Sequence, residues 1–385
     1  MPFYHTPLAI GLSLLHVYVW WRVVKQGMAP GPRRRIVTGL LIVLDLFMVA
    51  ALLLSTRMPP SDTLWFAWPG WVWFGMFFYG VLVVLVLEIP RLFLRGWVRR
   101  DRDPDKNGIS RRQFLARGTG VIAGVTAVAA AGFGIPAAFA DPRMRTVRIR
   151  LPRLDPKASG CRIALVSDLH LGSLRGRGFT QRVVDMINDS RPDIVAIAGD
   201  LVEGTVDHLS DAVEPVRELR STHGTFFVTG NHEYHYRYTE WVDYVRTLGV
   251  RPLLNERTTI THNGGQFELA GVLDPGALVE DGQGPDVART LRGWDKERAM
   301  VLLAHQPSVV HDAAAAGVDL QLSGHTHGGQ IAPFNLLVAA TQVAVSGLST
   351  QGDTQLYVTS GAGFYGPPMR VGAPSDITIV ELHSD

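Results

Sequence analysis

A single cysteine, Cys161, stands in the whole chain, so no disulfide can close within it, and its thiol reads as a small buried apolar residue. Charge of one sign is also scarce. Lys and Arg number 37 against 35 Asp and Glu, a formal net charge of +2 that gives no case for a nucleic-acid partner. Internal repeats and low-complexity tracts are absent from the 385 residues. That length allows two or three domains at roughly 100 to 200 residues each, and the apolar residues are unevenly divided among them.

Four long apolar stretches crowd the first 140 residues: "PLAIGLSLLHVYVWWRVV" from Pro7, "IVTGLLIVLDLFMVAALLL" from Ile36, "LWFAWPGWVWFGMFFYGVLVVLVLEI" from Leu64 and "GTGVIAGVTAVAAAGFGIPAAFA" from Gly118. Each is close to the ~20 residues a helix needs to cross a bilayer core. The reading is three transmembrane helices in 1–92, a basic cytoplasmic loop in 93–117, a fourth transmembrane or signal-like helix in 118–140, and a catalytic domain in 143–385. Arg22, Lys25, Arg33, Arg34 and Arg35 follow the first stretch. Arg91, Arg95, Arg99, Arg100, Arg102, Lys106, Arg111, Arg112 and Arg117 precede the fourth, whereas the link "STRMPPSDT" carries only Arg57. Positive loops stay inside, so the chain reads as a multi-pass protein of the cytoplasmic membrane with everything after Ala140 on the extracytoplasmic side.

"SRRQFLARG", Ser110 to Gly118, resembles a twin-arginine export signal, which would make the export machinery a partner; a plain basic membrane flank is the alternative. "AFA" before Asp141 resembles a signal cleavage site, so removal and retention of the fourth helix both stay open. His16 and Asp45 are the unusual polar residues of the apolar stretches. In an antiparallel hairpin they meet at similar depth, either as a functional site or as a pair that fixes helix packing.

Beyond Arg162 short β-branched runs alternate with amphipathic ones. "RIALVSD", "DIVAIAGD" and "GTFFVTGNH" predict strands, with helices over Phe179–Ser190, "AVEPVRELRS" and "YTEWVDYVRTLG". "QFELAGVLD", "AMVLLAHQP", "VDLQLSGHTH", "QLYVTSG" and "ITIVEL" predict further strands. The expectation is an α/β domain, a mixed β-sheet sandwich flanked by helices. Ligands gather beyond the carboxyl ends of strands in such folds, and five of these ends carry candidate metal ligands: Asp168-Leu169-His170, Gly199-Asp200, Gly230-Asn231-His232-Glu233, His305, and Gly324-His325-Thr326-His327. One D-x-H or H-x-H alone is weak, since a polar turn produces the same spacing. Carboxylate, imidazole and amide donors without thiolate suit manganese, iron or zinc, and seven such residues are too many for one tetrahedral ion.

The ordered set D-x-H, G-D, G-N-H-[DE], H, G-H-x-H resembles the calcineurin-like metallophosphoesterases. "SDLHLG", "GHTHGGQI" and "GAGFYGPPMRVGAPSDITIVEL" resemble their membrane-associated, exported bacterial phosphodiesterase branch. The resemblance implies two divalent ions: one on Asp168, His170 and His327, the other on Asn231, His305 and His325, with Asp200 bridging. It implies that His232 faces the substrate and that Glu203, where many relatives have Asp, orients His232. Glu233 is read as a permitted variant. Implied too is in-line attack on a phosphoester by a metal-bridging hydroxide, His232 acting as proton donor. Arg370 in "GPPMRVG" is left between a substrate phosphate and a surface ion pair. Among the other histidines, His208, His223, His262, His311 and His383 read as surface or cap residues, while His235 stands near enough to "GNHEYH" to line the pocket. Two other readings remain: hydrolysis of lipid head groups or lipid-linked pyrophosphate, and a non-catalytic membrane-anchored scaffold, which predicts eroded ligand positions.

Overall fold

The computed structural model describes residues 5–99, 109–280 and 282–384; Arg100, Arg102 and Lys106 of the basic loop lie outside them. Two compact units divide the chain. One holds the helices up to Pro136 together with Gly366–Met369, and the other holds Ala137–Tyr365 and the chain from Arg370.

In the helical unit, α1 (His5–Val19) runs on as a π-helix over Trp20–Lys25, followed by α2 (Pro32–Leu54), α3 (Pro60–Phe93), the short α4 (Arg95–Arg99) and α5 (Arg111–Phe139). Four helices are long and apolar enough to cross a membrane: His5–Lys25, Pro32–Leu54, Pro60–Phe93 and Arg111–Phe139. The last begins at Arg111 rather than Gly118, because Ser110 and Gln113 cap it reciprocally. The Gln113 backbone N–H donates to Ser110 Oγ at 3.2 Å and the Ser110 N–H donates to Gln113 Oε1 at 3.2 Å. So two residues of "SRRQFLARG" hold a helix end.

His16 and Asp45 do meet, with His16 Nδ1 3.1 Å from Asp45 Oδ1. Ser13 Oγ donates to the same carboxylate at 3.0 Å, Trp73 Nε1 donates to His16 Nε2 at 2.9 Å, and the imidazole stacks on Phe77 with centroids 3.5 Å apart. Both ring nitrogens are thereby engaged across α1, α2 and α3. This favours the packing reading, since interhelical hydrogen bonds tie apolar helices together. At the α2–α3 crossing, a Cβ on Gly70 would stand 2.6 Å from Ala51 Cβ, so glycine is what lets these backbones approach.

The other unit is built from two six-stranded sheets. Its strands are β1 (Arg143–Arg150), β2 (Arg162–Val166), β3 (Ile194–Ala198), β4 (Thr225–Val228), β5 (Val250–Pro252), β6 (Glu256–His262), β7 (Gly265–Gly271), β8 (Met300–Leu303), β9 (Leu320–Ser323), β10 (Gly347–Gln351), β11 (Thr354–Val358) and β12 (Asp376–His383). Their order is β1-β12-β2-β3-β4-β5 in one sheet and β10-β11-β9-β8-β7-β6 in the other. β2, β3, β4 and β5 run parallel, as do β7, β8, β9 and β11, whereas β12 is antiparallel to β2 and parallel to β1, from Arg143↔Asp376 to Arg150↔His383.

Period-two alternation builds the layers. Ile163, Leu165, Ile194 and Ala196 of the first sheet share one core with Leu269, Val301, Leu303 and Leu322 of the second. The intervening Ala164, Val166, Val195 and Ile197 face outward onto Phe179, Val183 and Ile187 of α6 (Arg177–Asp189), Val213 of α7 (Val206–Val213) and Trp241 and Val245 beyond them. On the second sheet Met300 and Leu302 pack outward on Val309 and Ala313. This is the expected mixed-sheet sandwich flanked by helices. One helix differs: instead of "AVEPVRELRS", the α-helix begins at Val206 and stops at Val213, with a 3-10 turn over Glu214–Glu218, because Pro215 has no N–H to continue the ladder. Cys161 sits fully buried in the inter-sheet core.

Candidate metal centre

Strands β2, β3, β4, β8 and β9 all end on one rim of the sandwich, and each hands a polar residue to the same spot. Asp168 and Asp200 come two residues after β2 and β3, Asn231 opens the short helix Asn231–His235 after β4, and His305 and His325 come two residues after β8 and β9. Adjacent loops are cross-tied by backbone bonds, Asp168 N to Gly199 O at 3.0 Å and His170 N to Asp200 O at 3.1 Å. Five of these positions, Asp168, His170, Asp200, His325 and His327, hold positive φ between 46° and 73°. Side chains other than glycine rarely adopt that conformation, and it collects at sites the surrounding fold over-determines.

On this rim donor atoms cluster in three overlapping groups, Asp168, His170 and His327; His170, Asp200 and His232; and Asp200, His305 and His325, while a fourth group, Cys161, Asp193 and His262, lies apart from them. In the first, His327 Nε2 lies 3.3 Å from Asp168 Oδ1 and 2.9 Å from His170 Nε2. In the last, His305 Nε2 lies 3.2 Å from Asp200 Oδ2 and 3.3 Å from His325 Nδ1. The far nitrogens are fixed from behind. His305 Nδ1 donates to Ala198 O at 2.7 Å, and His170 Nδ1 meets Glu203 Oε1, which aims both Nε2 atoms into the cluster. Asn231 Oδ1 is buried without a hydrogen-bond partner among the described residues, an orphaned acceptor on the residue before His232.

Burial works against charge on every one of these groups, and the outcome differs by neighbour. For Asp200, burial is outweighed by His305 and His232, and for Asp168 by His327 and His170, so both carboxyls are held well below the usual range. Burial itself wins at His325, taken down to about 4, and at His327, held well below its ordinary value. The carboxylates win instead at His170, pushed up to about 10 by Asp168 and Glu203, and at His305, held well above its ordinary value by Asp200, so the two carboxylates and two of the imidazoles are in the protonation states that bind metal.

His232 enters the cluster on the helix Asn231–His235. Its backbone N–H donates to Asp200 Oδ1 at 2.9 Å, its Nδ1 lies 2.7 Å from Glu203 Oε1 and its Nε2 is 3.9 Å from Asp200 Oδ2. Glu203 therefore serves two rings, His170 as well as His232, and Tyr236 donates to its other oxygen at 3.1 Å.

A model of the calcineurin-like phosphoesterase family matches residues 161–329, the span that carries these loops. An uncharacterized metallophosphoesterase of Helicobacter pylori is 39% identical over 246 residues, 63% of this chain and 65% of its own length. A transmembrane protein with metallophosphoesterase domain from Danio rerio is 33% identical over 322 residues, 80% of this chain and 74% of its own length. The chain belongs to the calcineurin-like phosphoesterases. Among solved structures, a dimetal phosphatase from Danio rerio aligns over 59% of this chain and 94% of its own at 11% identity, with a TM-score of 0.37. The chain thus spans just under two thirds of the Helicobacter relative.

The His/Asp groups are the chain's candidate divalent-metal sites. The donor set fits such ions: carboxylate, imidazole and an unpartnered amide oxygen, with the one cysteine elsewhere in the core. Seven of the eight strand-end residues read from the sequence, Asp168, His170, Asp200, His232, His305, His325 and His327, are brought together, and Asn231 directly precedes His232.

Other residues correct or extend that reading. Arg370 is 2% exposed and forms no surface ion pair among the described residues. Its guanidinium donates to the carbonyls of Gly363, His327, Ala373, Ser360 and Gly361 at 2.6–3.2 Å, and so clamps the loop behind His327. Glu233 accepts from the backbone N–H groups of Asp200, Leu201 and Gly230 at 3.0, 2.7 and 2.6 Å, locking the ends of β3 and β4 together. The G-N-H-E capping-box spacing could have signalled this. Asp274, at the end of "QFELAGVLD", is 1% exposed and accepts from Gln306 Nε2, next to His305, at 3.1 Å; it is a carboxylate at a sixth strand end. Tyr365 places its ring 4.8 Å from that of His232 and 5.6 Å from that of His170, with no motif to announce it. His235 stands 5.5 Å from His232 ring to ring, while His223 and His262 pair with each other at 3.0 Å.

Proposed function

We propose that this protein is a dinuclear-metal phosphoester hydrolase, anchored in the membrane by its apolar helices and working on the extracytoplasmic side. The observation that carries the reading is the convergence of seven donor-bearing residues from five strand ends on one buried spot, with Asn231, the chain neighbour of His232, carrying a buried and unpartnered Oδ1 among the described residues. Asp168, His170 and His327 would hold one ion, Asn231, His305 and His325 the other, and Asp200 both. Such a pair supplies a water nucleophile at neutral pH and neutralises phosphoryl charge, and the donors suit manganese, iron or zinc.

The remaining work falls to the chain's own groups. With Nδ1 held by Glu203, His232 turns Nε2 toward the reacting phosphoester, where it stabilises the developing charge and hands a proton to the leaving alkoxide. Tyr365 and His235 wall the approach to that imidazole. The arginine-rich loops flanking the apolar stretches support the assignment of sides.

The test uses the full chain in detergent. Metal analysis should find two ions per chain, and chromogenic phosphomonoesters and phosphodiesters should report turnover. His232→Ala should keep both ions and lose about 10² to 10⁴ in turnover. Loss of the ions together with activity, or turnover that survives intact, would overturn the role given to His232.

A further inference from the structure

The helical unit contains a cavity of about 580 Å³, lined by the last turns of the first and third helices, by α4 and by the start of α5. That volume lies in the range of small-ligand sites, roughly 300 to 1,000 Å³. Its floor is an ion pair. Arg22, 5% exposed, meets both carboxylate oxygens of Glu88 and donates from Nη1 to Gln26 Oε1 at 3.1 Å. Arg22 sits in the π-helical stretch Trp20–Lys25, and such irregular turns are frequent at functional sites.

Charge on the walls is not balanced in the same way. Glu88 is committed to Arg22, and Arg91 is anchored by a neutral group, donating to Gln26 Oε1 at 2.6 Å. Arg95 and Arg112, both exposed, have no carboxylate partner among the described residues. Three guanidinium groups from α3, α4 and α5 therefore line one cavity whose only carboxylate among the described residues, Glu88, is paired with Arg22. Guanidinium forks match phosphate oxygens in pairs. Apolar surface adjoins them: Trp21 is 44%, Leu92 47% and Phe93 85% exposed. Cations beside exposed apolar groups, at the ends of helices fit to cross a bilayer, suit a molecule that is anionic at one end and greasy at the other.

We propose that this cavity binds the phosphate head group of an anionic phospholipid, in the leaflet next to the arginine-rich loops. Arg91, Arg95 and Arg112 take the phosphate, and Leu92 and Phe93 lie along the acyl chains. Arg112 belongs to the "SRRQFL" run, so the second arginine of that pair acquires a ligand of its own.

The experiment titrates dioctanoyl phosphatidylglycerol into the full chain held in a neutral detergent, with dioctanoyl phosphatidylcholine, inorganic phosphate and ADP as separate arms. Saturable binding of phosphatidylglycerol is expected, and none of phosphatidylcholine. Arg95→Gln combined with Arg112→Gln should weaken it about tenfold or more, since charge-assisted bonds are lost. Arg33→Gln combined with Arg35→Gln removes the same charge from exposed arginines outside the cavity and should change affinity less than about twofold. Arg95→Gln alone, an exposed position, keeps the comparison readable if the first pair lowers helix content by circular dichroism. Equal weakening by both pairs would reduce the effect to general surface attraction and overturn the site. Displacement of the lipid by inorganic phosphate or ADP at matched concentration would overturn the lipid assignment in favour of a soluble anion.

Discussion

Glu203 reaches two imidazoles with a single carboxylate oxygen. Burial would raise its pKa, yet His232 and His170 hold it down at about 2, so it stays an anion wedged between one candidate ligand and the candidate proton donor. Glu203→Gln keeps the shape and removes that charge. Metal affinity should fall by about 10- to 100-fold, the usual cost of losing a partner behind a ligating histidine, and turnover should fall as well. Calorimetric metal titration checks this, and an unchanged affinity would restrict Glu203 to His232. The resemblance tied Glu203 to His232 alone, and the contact to His170, 33 residues away in the chain, is made only by the fold. The candidate ligand residues were legible because each follows an apolar strand. Arg370 was not: an arginine in a glycine- and proline-rich loop looks exposed until the loop is seen to wrap around it.

At the scale of the element, the turns after the strands are as constrained as the side chains they present. Gly199 has φ 85°, and a Cβ there would stand 2.5 Å from Gly230 N and 2.8 Å from His305 Nδ1. Gly199→Ala therefore combines a left-handed backbone cost with overpacking against a fixed neighbour, about 2 to 4 kcal/mol together. A lower urea midpoint and impaired metal retention are expected, the second because His305 is the neighbour displaced; an unchanged midpoint would show that the turn relaxes. The buried strands β2, β3, β8 and β9 were readable as short apolar runs. β1, β6 and β10 were not, because "RMRTVRIR", "ERTTITH" and "GLSTQ" expose much of their length and carry polar residues through most positions. Sheet edges are shielded by such sequences, and hydrophobicity alone does not mark them.

For the molecule as a whole, Cys161 offers a reporter of sandwich opening. Burial pushes its thiol up to about 12, with Asp193 adding to the effect, and the residue is fully buried between the sheets. Almost no thiolate exists at pH 8, so maleimide labelling has to wait for opening, after which the thiol returns to an ordinary pKa near 8.5 and reacts. Divalent ions that bind only the closed site stabilise it by about 2.7 kcal/mol when present at 100 times their dissociation constant. Labelling of the native chain should be slow, slower by up to about 100-fold with saturating metal, and faster after chelation. Rates indifferent to chelation would mean that the ions do not hold the sandwich shut.

Strand β1 finds its partner in β12, more than 200 residues later in the chain. While the polypeptide is being made, this first strand leaves the ribosome long before anything exists to pair with it. Four of its eight residues are arginines, at 143, 145, 148 and 150, and their charge discourages the waiting edge from joining a neighbouring chain. The sheet therefore closes late, by insertion of β12 between β1 and β2, and the interval before that insertion is when the nascent unit is most exposed to aggregation.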